Sequence, residues 1–268
     1  LPAAFPIFQP GAVFVRHLPL NEISSHRQKE CSLPGYAHNK KNTFAFYHEP
    51  QKIESMHPVL KRRTKGDEIF NSISHGAGIA ISIAATVLLV VRASLHGTVW
   101  HIVSFSIFGA GMILLYTSST LFHGVYHPRL KYKLNKLDHS SIYVLIAATY
   151  TPLTFITLRG ALGWVIFGVI WAMAIAGVVF KVWFYSSKWR LLSTILYLIM
   201  GWMIIIAIVP VIRKTPSPAI WFLMAGCLCY TFSPFFYLWR SKPYLHGVFH
   251  LFVLAGTVCH FFGFWFLV

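Results

Sequence analysis

Seven hydrophobic stretches of about twenty residues follow one another along the chain, each cut off by a short cluster of charges, glycine or proline. They fall at about 70–91, 98–123, 138–158, 162–182, 190–212, 218–239 and 246–267. A helix needs about 20 apolar residues to cross a hydrocarbon core roughly 30 Å thick. Barrel strands would instead alternate polar and apolar positions over about 10 residues. The pattern therefore predicts an all-α integral membrane fold of seven transmembrane helices. Residues 1–68 differ from this: they hold six of the seven acidic residues and show no sustained period. They are expected to form a flexible basic N-terminal tail ahead of a membrane domain at 69–268. The opening Leu1–Val15 is apolar but broken by Pro2, Pro6 and Pro10. It has no basic stretch before a continuous apolar core, which argues against a cleavable signal peptide.

Composition agrees with a lipid solvent. The chain is 56% hydrophobic and only 11% charged, whereas soluble domains carry about 25% charged residues. A net charge of +16 raises the question of nucleic acid, but the basic residues cluster between apolar stretches rather than interleaving with aromatics. No nucleic-acid partner is expected. Four Lys and Arg precede the first span, four separate the second from the third, three the fourth from the fifth, and two the sixth from the seventh. The other face has only Arg92, Arg159, Arg213 and Lys214. The excess predicts a cytoplasmic N-terminus, with the cell or plasma membrane as the expected location. Cys31, Cys227, Cys229 and Cys259 lack the spacing of a redox or zinc pair and read as free thiols.

Within 69–268 a single acid remains, Asp138, in the run Lys136-Leu137-Asp138-His139. An ionisable group at bilayer depth costs roughly 2.5–3.5 kcal/mol on insertion scales, so it usually has a partner or a task. Counted along the spans, His123, His246 and His250 fall at the same cytoplasmic level as Asp138. His246 and His250 are four apart and share a helix face, the spacing of helical metal pairs. His123 from a facing helix supplies a third nitrogen. Three protein ligands with one open position is the usual arrangement of a catalytic zinc site. Asp138 then reads as a proton acceptor beside the metal, and Ser119, one turn before His123, as a hydroxyl for a water or a developing oxyanion. Asp138 also fits a structural role, as a helix N-cap or a partner for Lys136.

Other histidines are weaker. His127 precedes Pro128, which disfavours helical geometry. His139 lies about 100° around the helix from Asp138 and should face elsewhere. His75, in Asn71-Ser72-Ile73-Ser74-His75-Gly76, fits a supporting position rather than a ligand. His260 is about 15 Å deeper than His250, and His96 and His101 belong to the opposite face. Gly76, Gly78, Gly109 and Gly111 are expected to be close helix-packing points.

Ser118-Ser119-Thr120-Leu121-Phe122-His123, Lys136-Leu137-Asp138-His139, Ile142–Ala147 and Ala148-Thr149-Tyr150-Thr151-Pro152 resemble the hemolysin III family, as do Asn71–Gly78 and His246–His260. The resemblance covers about 66–268 and extends to the progestin and adiponectin-type receptors and, more distantly, alkaline ceramidases. It implies seven helices with a zinc ion near the cytoplasmic side, bound at the positions of His123, His246 and His250. It also implies an aspartate near the zinc and its water at Asp138, and a serine at Ser119. The chain departs from its relatives at Ser233-Pro234 in the sixth span and in a proline-rich connection before it. The resulting expectation is a Zn2+-dependent membrane hydrolase of a lipid amide or ester, with membrane lipids as its surroundings. The alternatives are a cytolytic or pore-forming protein in which zinc is structural, and a receptor-like sensor.

Overall fold

The computed structural model describes residues 64–184, 186–239 and 242–268. Residues 1–63 of the expected tail at 1–68, Cys31 among them, lie outside the described residues. Among the described residues, eight α-helices account for seven membrane-length segments: α1 Lys65–His96, α2 Val99–Gly124, α3 Pro128–Pro152, α4 Ala161–Trp183, α5 Arg190–Trp202, α6 Ile208–Lys214, α7 Ser217–Leu238 and α8 Leu245–Trp265. α5 and α6 together make one segment. The chain is thus an all-helical, multi-pass membrane protein.

Two helices begin earlier than hydropathy indicates. α1 starts at Lys65 because Thr64 caps it: the Thr64 hydroxyl accepts the Asp67 N–H at 3.1 Å and donates to Asp67 Oδ2 at 2.7 Å. Asp67 and Glu68 then occupy the first turn, where negative charge complements the helix dipole. α3 starts at Pro128, not near Asp138. Proline suits the first helical position, where its missing N–H has no intrahelical use. The expected break at 128–136 is therefore helix, and Asp138 sits about 15 Å along it. Lys131, in this basic stretch, donates to the carbonyls of Phe122 at 3.0 Å and Val125 at 3.3 Å. It thereby closes the C-terminal end of α2.

Prolines shape the remaining helices. Pro210 has no N–H and crowds the carbonyl four residues back, and the chain tightens into a 3₁₀ stretch at Met203–Ala207. The Tyr150 hydroxyl spans this break, donating to Gly201 O at 2.7 Å and accepting from Ile204 N at 2.9 Å. Pro234 does not interrupt α7. The carbonyl it would leave bare is that of Tyr230, and the Ser233 hydroxyl donates to it at 3.0 Å. The Ser233-Pro234 departure thus carries its own compensation.

α3 is the most enclosed helix, and α1, α2 and α8 pack around one apolar core that includes Leu89, Phe105, Phe108, Met112 and Phe264. Two glycines of the expected four show why small residues matter here. A Cβ on Gly78 would lie 2.6 Å from the ring of Tyr116, whereas one on Gly76 would meet nothing closer than 3.9 Å. Tyr116 is fully buried and its hydroxyl is engaged with Thr257 at 2.6 Å, so it has little freedom to yield. Gly78→Ala is expected to destabilise the bundle by about 1–3 kcal/mol, the usual cost of overpacking. Gly76→Ala should be neutral or slightly stabilising. Thermal unfolding in detergent distinguishes the two.

Candidate metal centre

The end of the bundle that carries the basic connections brings His123 from α2 and His246 and His250 from α8 into one cluster. One ring nitrogen from each lies within 4.8 Å of the others. Ring centroids are 5.2 Å apart for His123 and His246, 5.0 Å for His123 and His250, and 4.6 Å for His246 and His250. His123 and His250 are each 1% exposed. Sequence separation made the pair on α8 legible; the approach of α2 to α8 supplies the third ring.

The orientation of two of these rings is set by α1. His123 Nδ1 is 2.7 Å from Glu68 Oε2, and a carboxylate only accepts, so Nδ1 carries the proton. Nε2 is left with its lone pair, buried and without a hydrogen-bond partner. His250 Nδ1 is 3.3 Å from the Asn71 carbonyl and 3.4 Å from the Ser74 hydroxyl. A carbonyl also only accepts, so Nδ1 of His250 carries the proton and its ring lone pair lies at Nε2. Metal-binding histidines usually hold their second nitrogen in this way, on a carboxylate or backbone carbonyl. Three neutral imidazoles converging inside a buried pocket suit zinc, copper, iron or nickel rather than calcium or magnesium. The donor set fits a metal ion.

Glu68 and Asn71 are the parts that hydropathy concealed. Glu68 is 6% exposed and also lies 3.4 Å from Lys131 Nζ, so one carboxylate joins α1, α2 and α3. Its neighbour Asp67 accepts the Tyr244 N–H at 2.8 Å. Tyr244 has the left-handed φ of 62° directly before α8, two residues ahead of His246. The first turn of α1 therefore grips both helices that carry the histidine cluster. A signal was present: positions 68, 71 and 75 share one helix face, and Thr64 followed by Asp67 marks a helix start. Glu68→Ala is expected to weaken metal affinity about 10–100-fold, the usual effect of removing such a supporting carboxylate. Competition with a chromogenic chelator measures this directly.

Asp138 and Ser119 line the same cavity as His246, together with His75. Asp138 is 7% exposed and within electrostatic range of His123 and His75. Ser119 is buried and its hydroxyl has no hydrogen-bond partner. His139 does not turn away as its helical angle indicated. It lines this cavity as well, with Nδ1 3.4 Å from Asp138 Oδ2 and Nε2 3.0 Å from the Tyr237 hydroxyl. Two residues on adjacent helical positions both face inward because α3 is enclosed on most of its circumference. His75 stacks on His250 with centroids 3.7 Å apart and planes 17° off parallel. His260 also lines the cavity, far along α8 from the triad, and His101 lies elsewhere, against Leu267 at 3.2 Å. The cavity measures about 210 Å³ and is walled mostly by aliphatic and aromatic side chains, reaching Val211 and Ile220 at its far end.

Seven membrane-length helices with a histidine cluster at one end define a class, and comparison with known proteins supplies the family. The family described as haemolysin-III related matches residues 63–261, and the chain belongs to it. It is 44% identical over 196 residues to Hemolysin-3 of Bacillus cereus, covering 73% of this chain and 89% of that protein. It is likewise 44% identical over 196 residues to the Hemolysin-3 homolog of Bacillus subtilis (strain 168), covering 73% and 92%. Monocyte to macrophage differentiation factor of Homo sapiens is 27% identical over 203 residues, covering 73% and 82%. The resemblance read from the motifs is borne out. The family match begins at residue 63, so it takes in Glu68 and the start of α1.

Proposed function

We propose that this protein is a zinc-dependent membrane hydrolase acting on a lipid amide or ester, with the basic end of the bundle toward the cytoplasm. One observation carries the reading: a histidine cluster fit for a metal meets, through His246, an apolar cavity inside the bundle that Asp138 and Ser119 also line. Binding sites for small molecules commonly pair an apolar wall with a few convergent polar groups. His123, His246 and His250 would hold the ion. When bound, a zinc ion polarises carbonyl oxygens and makes nearby water more acidic. Asp138 takes the proton as water adds to the carbonyl carbon. The C–N or C–O bond then breaks, and the leaving amine or alcohol departs with that proton. Ser119 donates its hydroxyl hydrogen to oxygen at the same centre. The aliphatic wall excludes water and accommodates an acyl chain.

Purified protein should contain about one zinc per chain by elemental analysis, and should release fatty acid from an N-acyl sphingoid base or a related lipid amide or ester. Chelation should stop the release and added zinc restore it. Loaded protein that turns over none of a panel of lipid amides and esters would reduce the metal to a structural role. A second reading draws on the name of the Bacillus cereus relative, Hemolysin-3: lysis of membranes. Dye release from liposomes that survives loss of Asp138 favours that reading over hydrolysis.

A further inference from the structure

His75 is a buried polar group in the cavity wall with no part in the chemistry above. It is 2% exposed, and neither Nδ1 nor Nε2 has a hydrogen-bond partner. A neutral imidazole always presents one N–H and one lone pair. Leaving such groups bare inside a bundle is costly, so an unsatisfied pair in a cavity wall calls for an occupant. The ring is not loosely placed. It lies flat on His250, and Tyr116 meets it edge-on with centroids 5.0 Å apart.

Its neighbours define what it can meet. Asp138 as a carboxylate only accepts hydrogen bonds. The Nδ1 protons of His123 and His250 are directed at Glu68 and at Asn71 and Ser74. The Tyr237 hydroxyl is engaged with His139. His75 and Ser119, on α1 and α2, both keep uncommitted donors on the wall that also carries Asp138. Charge that develops on a carbonyl oxygen is stabilised by donors already fixed in place. The stack on His250 fixes this one.

We propose that His75 is a substrate-contacting residue that donates its ring N–H to the carbonyl oxygen of the scissile lipid amide or ester, beside Ser119. The proposal rests on the hydrolase reading above. It differs from a purely supporting role, in which His75 exists to hold His250 and its loss would weaken metal binding.

The test uses full-length protein in detergent, with two probes measured separately. One is zinc alone, by chelator competition. The other is a phosphonamidate analogue of an N-oleoyl amide, whose tetrahedral centre carries the negative oxygen of the addition step, by calorimetry on the zinc-loaded protein. His75→Phe preserves the ring stack and removes both nitrogens; His75→Gln keeps a donor. His75→Phe is expected to bind zinc within about twofold of wild type and the analogue about 100-fold more weakly, with His75→Gln recovering part of the loss. Zinc affinity that falls as far as analogue affinity overturns the proposal in favour of support for His250. Unchanged analogue affinity in His75→Phe overturns it as well. Wild-type protein that holds zinc but ignores the analogue overturns the hydrolase reading, and this proposal with it.

Discussion

A His250→Ala variant is expected to lose metal at concentrations that saturate the wild type. Four-ligand zinc sites in small peptides bind with about 10–16 kcal/mol, so each ligand contributes roughly 3–4 kcal/mol. Removing one should weaken binding about 100–1000-fold. His123→Ala should do the same and take from the buried Glu68 carboxylate its 2.7 Å partner, which adds a cost in stability. Loss of fold and loss of metal are separable by melting. Metal that binds only the folded state stabilises it by about 1.4 kcal/mol at ten times its dissociation constant, a concentration well below the weakened dissociation constant of the variant. Wild-type protein should therefore melt higher with zinc than without, while His250→Ala melts at one temperature in both conditions. A zinc-dependent shift that persists in His250→Ala would exclude the three-histidine site. The same comparison on Glu68→Ala should show a smaller shift at equal zinc, because that residue only orients its histidine.

The seven crossings were legible because lipid imposes one demand, a long apolar run, and little else in the sequence imitates it. The errors cluster where that demand stops. Arg129, Lys131, Lys133 and Lys136 lower the hydropathy of the first turns of α3, yet Pro128 starts the helix there and the long basic side chains reach out to polar surroundings. Glu68 falls in the expected tail for the same reason: hydropathy reads a charge as the border of the membrane, whereas the helix has already begun at Lys65. His123, His246 and His250 could be placed at one level by counting from span ends. Asp138 was placed there on the premise that its helix begins beside it; it joins the cavity from about ten residues in. What no count along the chain could supply is the pairing of Glu68 with His123 across 55 positions, or the use of the Asn71 backbone by His250. The inward turn of His139 does not follow from its helical angle to Asp138, because burial is set by how many neighbours surround α3.

Asp138→Asn addresses the chemistry rather than the metal. The substitution keeps size and shape but removes the capacity to take a proton, and general-base catalysis is typically worth about 10²–10⁴ in rate. If Asp138 accepts the proton of the attacking water, kcat should fall by about that range while KM changes little, the pattern of an interaction made mainly in the transition state. Zinc content should stay near one per chain, because the proposed ligands are three histidines and not this carboxylate. His139 tests the same arrangement from the other side. Its ring lies 3.4 Å from Asp138 Oδ2 and 3.0 Å from Tyr237, so His139→Ala should disturb the carboxylate without removing it and cost less than Asp138→Asn. Zinc lost together with activity in Asp138→Asn would make the carboxylate a ligand. Turnover unchanged with zinc retained would leave Asp138 as the buried partner of His139 alone, and the hydrolase would need another base.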